Sequence, residues 1–335
     1  MNDVLPGREL DSLSTMLQAT FRTVESSGYA GWKLTLSPEQ PLSIMARMEK
    51  EWLLFEAPCW MSTTDKSEVK VVDRLCQLLH WNAALQGGVK FGLRSRPSGF
   101  AISGEDTFPV QILGEVSLEQ DHLPLRLSRQ VNHVALGFAR AFEKLRNGQQ
   151  SQKHLVRPKD SQPVLKPKDV LSLCQESGWA FVEREGERFM VTLEVSHGFY
   201  QATVESTPVG LQVTVDLGTV RFPFSTTQEA VARLLLGACG HLRLARGMFI
   251  EHDGAQITIR FQVALDETPS IAELTHALSA LSLACESCGK EATVLVENQE
   301  VAQLYLAQQG GCATTSISPD PSSPDEGPTH KGDES

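Results

Sequence analysis

The chain is written twice, and that duplication limits its fold more than any single motif. Leu75 to Phe108 (LCQLLHWNAALQGGVKFGLRSRPSGFAISGEDTF) reads as the end of an amphipathic helix, a Gly-Gly break and two short strands joined by a turn. Leu234 to Leu265 (LLLGACGHLRLARGMFIEHDGAQITIRFQVAL) repeats the helix, the break, the strand, a Gly turn and the strand. Further upstream, Val24 to Ala30 (VESSGYA) is echoed by Cys174 to Ala180 (CQESGWA). The spacing between copies grows from about 150 to about 159 residues, an insertion that falls among strands, where connecting loops tolerate extra length. A repeat this large describes two domains, because solenoid units are shorter and need several neighbours.

Periodicity fills in the elements. Leu10, Leu13, Met16, Leu17, Phe21 and Val24 share one helical face over Arg8 to Ser27, with Gly28 as a stop. Trp32, Leu34 and Leu36 alternate as a strand, and strands follow at Leu42 to Met48 and Glu51 to Ala57, with Glu49-Lys50 at the hairpin tip. A helix entry is expected over Ser62 to Asp65, capped by Asp65 or Ser67. A helix then runs from Val69 to about Leu85, a hairpin covers Val89 to Leu93 and Phe100 to Phe108, and a helix covers Pro124 to Leu145. Residues 147–167 are polar and Pro-containing, a linker by composition. After it come a short helix (Lys168 to Ser177) and strands at Trp179 to Arg184, Arg188 to Val195, Gly198 to Ser206 and Gly210 to Leu217. A helix from Thr227, a hairpin (Met248 to Glu251, Gln256 to Val263) and a helix from Ser270 to Cys288 complete the copy. Thr293 to Val296 reads as an added strand before a short helix, and residues 310–335 as a disordered acidic tail. The expected architecture is α+β: two tandem α-βββ-α-ββ-α domains with antiparallel sheets packed against helices. Their bounds are 1–146 and 168–309.

Composition narrows the function classes. Of 335 residues 41% are hydrophobic and 21% charged, the balance of a globular protein, and the formal net charge is -11. Such acidity argues against sequence-independent nucleic-acid binding, which needs clustered Lys and Arg. No apolar run reaches the roughly 20 residues that span a bilayer, and MNDVLPGRELD lacks a secretory pattern. The seven cysteines (59, 76, 174, 239, 285, 288 and 312) are odd in number and sit in apolar patterns, as reduced buried thiols do. A cytoplasmic protein without membrane insertion is the expectation.

Chemistry is hard to find. Cys285-Glu286-Ser287-Cys288 has redox or metal spacing, yet it falls at the end of an expected helix, whereas a helix start would activate a thiol. A zinc site would need a second ordered pair. The nine histidines form no HxxxH or HExxH pattern, and Gly87-Gly88 leads into no phosphate loop. No catalytic residue, cofactor or metal is expected.

One anomaly is local. Leu53, Phe55 and Ala57 align with Leu211, Val213 and Val215 as inward positions, but the opposite face carries Trp52 and Leu54 where the second copy has Gln212 and Thr214. Met45 on the preceding strand joins them. A sheet with one face on helices should be polar on the other. An apolar face there implies a cover: the other repeat, a second subunit or a bound peptide. Met45, Trp52 and Leu54 are therefore the candidate partner-binding residues.

Leu78, Leu79 and Asn82 (LLxxN), then Gly88, a strand, a turn, a second strand and a closing amphipathic helix resemble the small acidic type III secretion chaperones and the related YbjN-type domains. The second copy departs from this pattern, with His241 near the Asn82 position and Gly237-Ala238-Cys239-Gly240 in place of bulkier residues. The resemblance implies a non-enzymatic module that holds an extended segment of a partner protein. Two copies in one chain would pack as an intramolecular pseudo-dimer. The alternatives are a small-ligand binder or enzyme using the inter-repeat cleft, and a structural assembly subunit.

Overall fold

The computed structural model describes residues 7–27, 31–36, 43–62, 68–85, 87–93, 107–118, 124–147, 164–184 and 188–309. The chain is α+β, with two six-stranded antiparallel sheets and seven helices among the described residues. The first sheet follows α1 (Gly7–Thr20) and contains β1 (Thr23–Ser26), β2 (Gly31–Thr35), β3 (Ile44–Glu49), β4 (Trp52–Ser62), β5 (Lys90–Leu93) and β6 (Thr107–Ser117). Helix α2 (Glu68–Ala84) interrupts the strands and α3 (Pro124–Asn147) closes the unit. The second unit opens with α4 (Pro167–Glu176). It has β7 (Phe181–Arg184), β8 (Arg188–Val195), β9 (Gly198–Thr207), β10 (Gly210–Val220), β11 (Arg246–His252) and β12 (Gln256–Ala264), with α5 (Ser225–His241) and α6 (Ile271–Glu297) in the places of α2 and α3. Helix α7 (Gln299–Gln308) follows. Strand order is β1-β2-β3-β4-β6-β5 in one sheet and β7-β8-β9-β10-β12-β11 in the other, the same path traced twice.

Each sheet adds a first strand to the α-βββ-α-ββ-α order. Helix α1 stops at Thr20 instead of running to Ser27, and Thr23–Ser26 pairs with β2. The apolar spacing of Phe21 and Val24 fits either conformation. The tertiary structure decides, because Phe21 turns in to stack on Phe55 at 6.0 Å between ring centroids. Thr293 to Val296 is not a strand but lies inside α6. The strand preference of Thr and Val loses to burial, since Ala292 and Leu295 continue the stripe of Leu281, Cys285 and Cys288. The extension leaves the CxxC in mid-helix. Strand β6 reaches Ser117, well beyond the Phe108 end expected for it. The strand portion at 100–106, the cap residues Asp65 and Ser67, most of the linker and the tail from 310 onward lie outside the described residues.

Inward positions are those that the alternation indicates: Leu53, Phe55 and Ala57 on β4, and Leu211, Val213 and Val215 on β10, are buried. Helices α1 and α3 cover the first sheet, and α6 with α4 covers the second. Helices α2 and α5 behave differently. Each packs on the edge strand of the other unit, α2 on β11 and α5 on β5, and the two helices pack on each other. The buried apolar residues of both units consequently join in one cluster. No helix among the described residues is long and apolar enough to cross a membrane.

Candidate partner-binding surface

Helices α2 and α5 are both 17 residues long, so Asn82 and Cys239 hold the same position in each. The structure thus puts Cys239, not His241, where the first copy has Asn82. Insertion and deletion in the loops hid that register. Asn82 Oδ1 accepts the Phe91 N–H at 2.7 Å, while its Nδ2 donates to the carbonyls of Phe91 at 3.2 Å and of Gly247 at 3.0 Å. Cys239 takes the matching place in its own unit, its Sγ accepting the Gly247 N–H at 2.9 Å. Asn82 Nδ2 also lies 3.8 Å from Cys239 Sγ.

A second pair of matched residues crosses between the units. Lys90 opens β5 and Arg246 opens β11, and both are buried. Lys90 Nζ donates to the carbonyls of Leu242 at 2.5 Å and Ala245 at 3.3 Å, and pairs with Glu115 at 3.2 Å. Arg246 Nη1 donates to the Leu85 carbonyl at 2.6 Å. Leu85 and Leu242 are the residues just past α2 and α5, so each cation caps the carbonyl end of the other unit's helix, where the helix dipole is negative. Burial pulls the Arg246 guanidinium down to about 10 and pushes the Cys239 thiol up.

Trp52, Leu54 and Met45 separate in their surroundings. Leu54 is only 4% exposed and lies between Arg47 and Glu115 on neighbouring strands. The Glu115 carboxylate accepts the Leu244 N–H from the α5–β11 loop. The Arg243 guanidinium sits 5.4 Å from the centre of the Trp52 ring and binds Glu49 at 2.7 Å, and the His276 ring lies 6.3 Å from Trp52. Met45 is 39% exposed. Second-unit residues therefore stand over Trp52 and beside Leu54, and Met45 faces out. The lone Lys in GGVKFGL and the lone Arg in LARGMF, both at strand starts, were the signal that could have located this interface in the sequence.

Contact between the units is close. A Cβ at Gly92 of β5 would lie 2.8 Å from the Gly240 nitrogen of α5, so at this place backbone meets backbone and leaves no cleft between the units. Elsewhere, Ser196, His197, Glu286, Ser287, Lys290, Glu291 and Val294 line a shallow groove of about 450 Å³ between the β8–β9 turn and α6. His197 Nε2 is 3.2 Å from the Tyr200 hydroxyl, and Glu286 accepts from the Ser196 hydroxyl and from the Ser196 N–H at 2.7 Å, the hydroxyl first and the N–H second holding its carboxyl below the usual range. Cys285 and Cys288 are buried free thiols pushed up to about 12, chiefly by burial. No cluster of three or more metal-ligating side chains occurs among the described residues.

Among the described residues the terminal strands β1, β5, β7 and β11 each pair on one side only; β5 and β11 are covered by helices of the other unit, and β1 and β7 form the opposite edges. Strand β7 is largely exposed, and its Val182 is 60% exposed. No protein-family model matches this chain, and neither does any curated protein.

Proposed function

We propose that the chain is a cytoplasmic protein-binding module, similar in kind to a secretion chaperone, in which the two repeats form an intramolecular pseudo-dimer and an open strand edge holds an extended segment of a partner protein. The observation that carries this reading is the unpaired edge of β7. Its backbone N–H and C=O groups lie at the end of the sheet, and an added strand would satisfy them while side-chain contacts at Val182 give selectivity. The reciprocal links of Lys90 and Arg246 support the pseudo-dimer, because an isologous interface makes each contact twice. In this reading Trp52 and Leu54 serve the pairing of the repeats, and Met45 remains available to a partner. The free buried thiols support a reducing compartment.

A photo-crosslinking residue at Val182, introduced in the native cell, tests the edge. Crosslinks are expected to map to one stretch of a partner, with none of them formed from Leu304, which is 63% exposed on α7. Equal trapping at both positions, or none at Val182, would remove β7 as the site.

A further inference from the structure

In a dimer of identical halves, a residue near the two-fold axis faces its own copy. Here the facing positions have diverged. Arg126 and Glu273 are each the third residue of α3 and α6, and they pair with each other. Gln130 Nε2 donates to the same Glu273 carboxylate at 3.0 Å. Asn82 and Cys239 face each other in the same manner, a polar amide against a thiol.

A third place is steric. Gly92 is the third residue of β5 and meets Gly240, the sixteenth residue of α5. Their counterparts are Met248, third in β11, and Ala83, sixteenth in α2. A Cβ at Gly92 would fall 2.8 Å from the Gly240 nitrogen and 3.0 Å from the Cys239 carbonyl carbon, both backbone atoms that have little freedom to yield. Two second repeats paired with each other would set Glu273 against Glu273. Two first repeats would set Arg126 against Arg126.

We infer that the inter-repeat face is a heteromeric recognition surface: the first repeat takes a second repeat as its partner, its own or one from another copy of the chain, and rejects a copy of itself. This rests on the pseudo-dimer reading and not on the partner-segment reading. Selectivity of this kind needs repulsion in the wrong pairs as well as attraction in the right one, and the Arg126–Glu273 pair, like-charged in either homodimer, supplies both.

The test starts from the folded full chain with a protease site inserted within 148–163. After cleavage, native mass spectrometry is expected to show one non-covalent species with one of each half. Mixing with isotope-labelled nicked protein is expected to move label only between such mixed pairs. Homodimers of either half would overturn the selectivity alone, and halves that separate would overturn the pseudo-dimer with it. In the same nicked protein, Gly92→Met is expected to weaken association by roughly tenfold or more. Arg126→Glu is expected to weaken it and Arg126→Glu with Glu273→Arg to restore it in part, the remainder being the lost Ser270–Glu273 capping box. Unchanged association in both single variants would refute the inference.

Discussion

Lys90 and Arg246 are the same residue position in two copies of one fold, and each ends on the carbonyl that terminates the other copy's helix. A buried cation is stable only when its donors are satisfied. Lys90 has one partner in its own repeat, Glu115, but the carbonyls of Leu242, Ala245 and Leu85 that Lys90 and Arg246 bind lie in the opposite repeat, so these bonds form only when the two repeats pack.

Lys90→Ala should therefore be severe. It strands the Glu115 carboxylate and the Leu242 and Ala245 carbonyls in the interior, an expected loss of about 3–5 kcal/mol. Urea unfolding measures it, and a loss below about 1 kcal/mol would show that the pair does not hold the repeats together.

Two glycines give opposite outcomes. Gly92→Ala forces a methyl against the α5 backbone and should cost about 1–3 kcal/mol. At Gly237, inside α5, an added Cβ meets nothing within 4 Å, so Gly237→Ala should raise stability by roughly 0.5–1 kcal/mol through helix propensity. Thermal melts of the two variants should move in opposite directions.

Leu54 and Met45 should differ according to their cover. Leu54→Ala is expected to cost about 2–5 kcal/mol as a buried truncation. Met45→Ala should stay within about 0.5 kcal/mol in the isolated protein. If Met45→Ala also reduces the crosslinking expected at Val182, its role is in the partner contact and not in the fold.

The thiols predict the alkaline limb. Cys76, Cys285 and Cys288 are each raised from 9.0 to about 12, with burial the first cause. Between those values the unfolded chain has lost protons that the folded chain keeps. Their contribution is thus complete below pH 9 and is lost as pH rises towards 12. Denaturation midpoints across this window should fall, and Cys285→Ala with Cys288→Ala should flatten the slope. A thiol reagent at pH 8 should react with these residues only after unfolding.

The capping box at Ser270 and Glu273 opens the longest helix. Ser270→Ala should cost about 1 kcal/mol. Because the same Glu273 carboxylate binds Arg126, this substitution should also weaken the nicked complex, which the native mass spectrum reads directly.

Legibility in the sequence followed range. Leu53, Phe55, Ala57 and their second-copy matches show their inward face by alternation alone, because strand geometry repeats every two residues. The tip at Glu49-Lys50 was visible too, and Lys50 does turn there with a φ of 56°. The apolar face of Trp52 and Leu54 was visible as an anomaly, but its cover was not. Arg243 and His276 lie about two hundred residues along the chain from Trp52, and no local pattern links them. Local periodicity carries helix α1 past Thr20 and favours a strand at Thr293 to Val296 for a related reason. Both stretches have a local preference that packing overrules.

By itself the sequence determined that the chain is doubled, that each copy is α+β, and which side chains point inward, since these rest on periodicities of two and 3.6 residues within a single element. Only the tertiary structure decided that α2 lies on β11 and α5 on β5, and that Lys90 and Arg246 complete each other's helices. Of the four terminal strands it left β1 and β7 without a helix of the other repeat laid along them. Those outcomes depend on which buried polar groups can be satisfied across a contact between distant segments, and that balance is struck only once both repeats are in place.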